Sequence, residues 1–340
     1  MKNNKIKKSK LSNFKNKLDF WATNSEEGGW NISSTDEGSQ KMLENENEKQ
    51  IKIQTGTEVV DDFVIDEDTS DDERMIVNMG PQHPSTHGVL RLQAELEGEV
   101  VRRVKPIIGY LHTGMEKTGE ELNYFQGPTN TTRMDYLSPL FNELVFSLTT
   151  EKLIGIEVPK RAETIRILMT ELNRVSSHLV ALATGGMDIG ALSMMIFGFR
   201  ERELILNFFE KTTGLRMNHN YIRPGGVAAD LPDGWQKDVE EILKIIPEKL
   251  QDYDDMLLDN PIWKGRLQNV GILTTEECFA YGVTGPSLRA SGYSWDLRKS
   301  QPYSGIENYE FDVPTLTEGD VFARWRVKVL EIFESLKIIE

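Results

Sequence analysis

Between Pro159 and Thr184 the apolar residues Ile165, Leu168, Leu172, Val175, Leu179 and Leu182 recur at alternating steps of three and four. That spacing lays them down one side of an α-helix, and a helix with such a seam has to bury it against other helices. A helical bundle is therefore the centre of the expected fold. Pro159 suits the first turn of this helix. Gly185-Gly186 reads as its stop, with a second apolar helix starting near Asp188, for which Asp188 is a ready N-cap, and running towards Thr212. Leu137 to Ile154 and Gly234 to Leu258 are two more amphipathic candidates, which makes roughly the four helices of a bundle. A last helix is expected from Glu318.

Ahead of the bundle the pattern changes period. Met75 to Met79 and Val89 to Leu96 are rich in branched residues and partly alternate, so they read as two strands. They are joined by the loop Gly80-Pro81-Gln82-His83-Pro84-Ser85-Thr86-His87-Gly88, whose two prolines forbid a regular helix. A third strand over Val100 to Ile108 completes a small antiparallel sheet. Pro261 to Pro314 mixes Gly, Pro and Ser with short apolar pieces and is expected to be irregular with a little strand. The predicted class is α+β: a small N-terminal antiparallel sheet, a central helical bundle and a mixed C-terminal region. The expected divisions are 1–74 (a low-complexity extension), 75–130 (the β-rich part), 131–260 (the bundle) and 261–340.

Composition narrows the function classes. A net charge of -15 over 340 residues argues against a nucleic-acid surface, which needs clustered Lys and Arg to neutralise phosphates. The single cysteine, Cys278, allows no disulfide within the chain and cannot make an iron–sulfur site, which normally takes four thiolates. Residues 1–20 hold seven Lys but lack the apolar core of a secretion signal. Glu58 to Glu73 holds nine acidic residues and no basic one, which suits disorder or a partner-binding arm. The most apolar stretch, Leu179 to Phe199, has Asp188 as its only charge, but Gly185-Gly186 and that Asp split it into halves shorter than the roughly 20 residues a bilayer demands.

Several runs then carry a resemblance that spacing alone does not supply: MGPQHPSTHGVLRL (79–92), GYLHTGMEK (109–117), TRMDYL (132–137), PKRAETIRILMTELNRVSSHL (159–179), MDIGA (187–191), YIRPGGV (221–227) and LRASGYSWDLRKSQPYSG (288–305). In this order they resemble the D subunit, the 49-kDa type, of the proton-pumping NADH:quinone oxidoreductases known as respiratory complex I. The resemblance covers about Met75 to Glu340. It implies a fold like the large subunit of nickel–iron hydrogenases. It also implies a quinone as substrate, ubiquinone or menaquinone, and electrons from an iron–sulfur cluster supplied by the B subunit. The C subunit would dock near the N-terminal sheet, with membrane-arm subunits at the base. The expected place is peripheral, on the cytoplasmic side of the inner membrane, with catalysis only in the assembled complex. Family members usually continue well past the position matching Glu340, through a segment that helps wall the pocket, so an end at Glu340 reads as a fragment or a split gene.

The resemblance places the quinone site on His87 and Tyr136, which would hydrogen-bond the two head-group oxygens, with Asp188 paired to His87 and Thr184 lining the chamber. The residue types suit the task. A reduced quinone takes two protons near neutral pH; an imidazole with reference pKa about 6.5 gives one readily, and a phenol near 10 donates a hydrogen bond without ionising. His83 and His87 are four apart, a zinc-pair spacing on a helix, but Pro84 breaks that geometry and no third ligand is evident, so no metal is assigned. His112 and His178 are expected to serve turn and helix packing, Arg200 to Glu203 a solvated or salt-bridged face, and Met194 with Met195 the core. A hydrogenase large subunit would need two CxxC pairs, which one cysteine excludes. An inactive scaffold is the other alternative, and retained His87, Tyr136 and Asp188 argue against it.

Overall fold

The structure, a computed structural model, describes residues 74–340. The extension expected over 1–74, acidic run included, lies outside the described residues except for Arg74, which already belongs to the first strand.

Three strands, β1 (Arg74–Met79), β2 (Arg91–Glu97) and β3 (Val100–Ile107), form an antiparallel sheet in sequence order. Met79 pairs with Leu92 and Arg74 with Glu97, so the whole Pro-rich loop hangs from one end of the sheet. A register shift at Glu95/Leu96 bends β2 against β3. Two short helices follow, α1 (Met115–Glu121) and α2 (Gly127–Thr131), and then the bundle: α3 (Pro139–Ile154), α4 (Lys160–Asp188), α5 (Leu192–Thr213), α6 (Trp235–Leu257) and, from the chain end, α11 (Val321–Ile339). Between α5 and α6 lies a two-residue hairpin, β4 (Ile222–Arg223) with β5 (Gly226–Val227). The architecture is the α+β class expected, mostly helical with a small three-stranded sheet.

Helix α4 is the central helix of the bundle. Its predicted seam, Ile165, Leu168, Leu172, Val175, Leu179 and Leu182, is buried in one core with Ile205 and Phe209 of α5, Ile242, Ile246 and Leu250 of α6, and Val329 and Ile332 of α11. Burying each such side chain is worth about 1.5–3 kcal/mol. Beyond the seam, α4 also buries Arg166, Glu171, Asn173, Ser176 and His178. Each of these is paired. Arg166 donates to Glu151 (2.5 and 3.1 Å) and to the Gly226 carbonyl, clamping the hairpin. Glu171 accepts from Arg174, Arg298 and Ser335. His178 Nε2 lies 2.7 Å from Glu331, which also accepts from Arg289 at 2.6 Å.

The structure corrects three local expectations. Gly185-Gly186 does not stop α4, which runs on to Asp188, and α5 starts at Leu192 with Ala191 as its N-cap, so Asp188 ends one helix and does not cap the next. The physical reason is a close crossing. A Cβ on Gly186 would lie 2.7 Å from Met194 Cβ, and one on Gly198 would lie 2.7 Å from Ala183 Cβ, so glycine there lets α4 and α5 touch. Arg200 to Glu203 is salt-bridged as expected, Arg200 to Glu201 and Glu203 to Arg216, but it is not one solvated face: Glu201 is buried and accepts from the Tyr253 hydroxyl at 2.5 Å, and Arg202 is buried against Ser176. Met194 is core and Met195 partly buried. Over 261–314 there is no strand; instead there are four short helices, α7 (Pro261–Leu267), α8 (Thr275–Ala280), α9 (Gly285–Ala290) and α10 (Leu297–Ser300), each started by a Pro, Thr or Asp at or beside its N-cap. No helix among the described residues is long and apolar enough to cross a membrane.

Candidate functional site

The loop after β1 is built around one buried hydroxyl. Pro84–Thr86 forms a single 3-10 turn, capped by His83, whose Nδ1 accepts from Ser85 N at 3.2 Å. Thr86 is buried, and its Oγ1 lies 3.0 Å from the His83 carbonyl and 3.1 Å from that of Pro81, so the loop folds over its own threonine. The turn leaves His87 in the left-handed region at φ 52°, a conformation uncommon outside glycine that sends the chain sharply back towards β2. His83 is thus spent as a cap, and among the described residues no three His, Cys, Asp or Glu side chains gather to hold a metal.

His87 reaches the end of α4. Its Nε2 lies 3.3 Å from Asp188 Oδ2, across 101 positions of sequence. The contact is open to solvent, with 46% of the His87 side chain and 29% of the Asp188 side chain exposed. An exposed pair at this distance contributes at most about 1 kcal/mol to folding, so the fold does not depend on it and its partners can exchange. Thr184, one turn earlier on α4, spends its hydroxyl proton on the Val180 carbonyl at 2.8 Å and keeps only acceptor capacity.

Tyr136 sits on the turn between α2 and α3. It is 43% exposed, and it takes no part in the hydrogen bond between His87 and Asp188. The turn itself is fixed from two helices. Asn142 of α3 donates to the Asp135 carbonyl at 3.0 Å, Asn173 of α4 donates to the Leu137 carbonyl at 3.0 Å, and Ser138 meets Ser177 at 3.2 Å. Helix α4 therefore braces both candidate groups, Tyr136 through Asn173 and Ser177 and His87 through Asp188. Ser177 and Asp188 are about 16 Å apart along the helix axis. An open cavity of about 950 Å³ runs along α3 from Asp135 and Ser138 past Phe141, Arg174 and His178 to Trp295; its lining includes neighbours of Tyr136 but not Tyr136, His87, Thr184 or Asp188.

Two residues that shape the site are not evident from the sequence. Thr86 is one; a hydroxyl residue between two loop prolines and the returning strand was the available signal. Glu143 is the other. It is fully buried on α3, accepts from Thr132 Oγ1 at 2.5 Å, and accepts from the backbone N–H groups of Asn220, Tyr221 and Ile222 at 2.6, 2.8 and 2.9 Å. Burial pushes its carboxyl upward, against four hydrogen bonds that favour the charged form. A carboxylate on the side of α3 that carries Leu140 and Leu144 was its signal. It ties the start of the Tyr136 turn to the β4 hairpin.

A loop at one end of the sheet that delivers an exposed imidazole to a carboxylate at the end of a bundle's central helix defines an α+β, mostly helical chain with an open histidine–carboxylate pair at one end of that helix. Comparison with known proteins gives that class a family. The family model described as the 49 Kd subunit of the respiratory-chain NADH dehydrogenase matches residues 188–340. The NADH-quinone oxidoreductase D subunit, form 1, of Salinispora arenicola is 60% identical over 275 residues, 80% of this chain and 62% of the relative. The D subunit of Rhodococcus jostii is 60% identical over 271 residues, 79% of this chain and 62% of the relative, and that of Mycobacteroides abscessus is 55% identical over 293 residues, 86% and 68% respectively. The chain belongs to the family of the 49-kDa, or D, subunit of NADH-quinone oxidoreductase. It spans about three fifths of the length of the first of these relatives.

Proposed function

We propose that this chain forms one wall of the quinone-reduction chamber of a proton-translocating NADH:quinone oxidoreductase, with His87 and Tyr136 binding the quinone head group. The observation that carries the reading is the contact of His87 with Asp188, made between two motifs 101 residues apart and exposed to an incoming ligand. In its protonated form the imidazole donates from both nitrogens. Nε2–H serves Asp188 and Nδ1–H is left for a quinone oxygen. When the quinone takes two electrons, the Nδ1 proton passes to that oxygen, while the Tyr136 hydroxyl donates to the other oxygen, which takes its proton from solvent. The products are the quinol and a neutral imidazole beside a carboxylate no longer balanced, a charge change able to bias a conformational switch.

The electrons come from a partner, since the chain's one cysteine, buried against Ser291, cannot hold an iron–sulfur cluster. A B subunit carrying such a cluster, a C subunit at the sheet and membrane-arm subunits at the base complete the proposed assembly, which lies peripherally on the cytoplasmic side of the inner membrane. Thr184 is placed by this reading at the chamber wall as an acceptor only. NADH oxidation belongs to another part of the complex.

The test compares quinone reduction with NADH oxidation by an artificial acceptor that bypasses the quinone, in the assembled complex. His87→Ala is expected to lower quinone reduction at least about a hundredfold, the usual worth of a general acid, with the bypass rate unchanged. Tyr136→Phe is expected to raise the quinone KM up to about tenfold, the loss of one hydrogen bond. Full quinone reduction without the imidazole would leave the scaffold reading in its place. Protons moved per quinone reduced should fall in Asp188→Asn, and an unchanged ratio rules out the switch.

A further inference from the structure

Helix α4 ends on Asp188, and the last carbonyls of any helix have no partner within it. The chain just past that end is held by a residue 77 positions away: the Ile189 carbonyl accepts a hydrogen bond from Arg266 Nη1 of α7. The next residue, Gly190, has φ +101°, where side chains are rarely tolerated. A Cβ placed on it would lie 2.6 Å from the same Arg266 Nη1. The guanidinium therefore fills the space beside the Asp188–Gly190 turn, and the turn closes on it through hydrogen bonds from Gly190 N to the Met187 carbonyl (3.0 Å) and from Ala191 N to that of Gly186 (2.7 Å).

Arg266 acts from a fixed base. Asn260 caps α7 by accepting from Ile262 N at 2.9 Å and Trp263 N at 3.3 Å. Trp263 and Leu267 are buried, and the Trp263 ring meets Trp325 of α11 edge-on with centroids 5.7 Å apart. The path from the core to the site thus runs from α11 through Trp263 to Arg266, then through the Ile189 carbonyl to the carboxylate one residue back.

We propose that Arg266 is a positioning residue for the His87–Asp188 pair: its guanidinium pins the turn after α4 so that Asp188 Oδ2 faces His87 Nε2. Arg266 acts through the backbone of Ile189 and Gly190, not through a bond to the imidazole or the carboxylate. The inference rests on the proposed function, in which that pair delivers a proton to quinone.

The assay is the same pair of rates in the assembled complex. Arg266→Met is expected to lower kcat for quinone reduction by about ten- to a hundredfold, the scale of a sub-ångström to 1 Å misplacement, with the quinone KM and the bypass rate little changed. Arg266→Lys, which can still donate to the Ile189 carbonyl, should recover most of the loss. Added to Asp188→Asn, Arg266→Met should cost less than about twofold more, because its target is already gone. If Arg266→Met does not assemble, Gly190→Ala tests the same contact from the other side and should show the same loss and the same non-additivity. A full rate in Arg266→Met while Asp188→Asn is impaired overturns the positioning role alone, as do additive losses or failure of lysine to rescue. A full rate in Asp188→Asn overturns instead the reading of the pair on which it rests.

Discussion

Two histidine–carboxylate pairs share helix α4, ten residues apart, and they differ in almost every respect that matters. His178 meets Glu331 at 2.7 Å with 10% and 1% of the side chains exposed, and Arg289 holds the same carboxylate. His87 meets Asp188 at 3.3 Å with 46% and 29% exposed, and no third charged side chain joins them among the described residues. Inside, burial drives the His178 imidazole towards its neutral form. Burial also pushes Glu331 up, but the hydrogen bond from His178 and the Arg289 guanidinium outweigh it and hold the carboxyl at about 2. The inner pair is a fixed strut between α4 and α11. The same two chemical groups at the helix end can trade partners, so exposure and the presence of a third charge separate a fixed strut from an open contact here.

The largest expected effect comes from removing that third charge. Arg289→Met leaves Glu331 buried with a neutral imidazole as its remaining hydrogen-bond partner, and folding stability should fall by about 3–5 kcal/mol in a denaturant titration. A loss below about 1 kcal/mol would erase the contrast between the two pairs. Next in size is an effect of acid. Burial lowers His219 to about 4, an imidazole that lies edge-on to Phe209 with ring centroids 4.8 Å apart. The unfolded chain binds a proton there near pH 6.5 and the folded one only near 4, so the stabilisation is complete above 6.5 and is lost as pH falls towards 4. It amounts to at most about 3 kcal/mol. Thermal melts across that window should lose this slope in His219→Phe and keep it in His87→Gln. The smallest effect is expected at the helix end: Asp188→Asn should cost less than about 1 kcal/mol of stability, whatever it does to quinone reduction. A loss as large as that of Arg289→Met would make the outer pair a strut as well.

Much of this was legible in residue order. The three-and-four spacing from Ile165 to Leu182 predicted α4 and its buried side, and alternation placed all three strands within two residues of their observed bounds at each end. What escaped has a common cause. Gly185-Gly186 is a stop signal when read locally, and only the arrival of Met194 from α5 shows why glycine is needed in mid-helix. Arg200 to Glu203 reads as a solvated or salt-bridged face, and the salt bridge from Arg200 to Glu201 is there, yet Glu201 is buried, where Tyr253 of α6 brings it a hydroxyl. Over 261–314 the Pro and Gly content suggested irregular chain with strand, where capping residues instead start helices of four to seven residues. For the site, the motifs named His87 and Asp188, but the sequence does not show that Thr86 folds the loop or that Arg266 comes back to the end of α4. Periodicity reports on neighbours one turn away, and the contacts of Thr86, Glu201 and Arg266 bridge five to 77 positions.

The crossing of α4 and α5 sets a tolerance on all of this. At Gly186 and Gly198 the two helices are separated by less than the thickness of a methyl group, and the final turn of α4, with its carboxylate, begins at that seam. Adding a single carbon on either side would wedge the rods apart and swing Asp188 off its mark. Two residues with no functional group of their own thereby fix the aim of the one group at the helix tip that can give or receive charge.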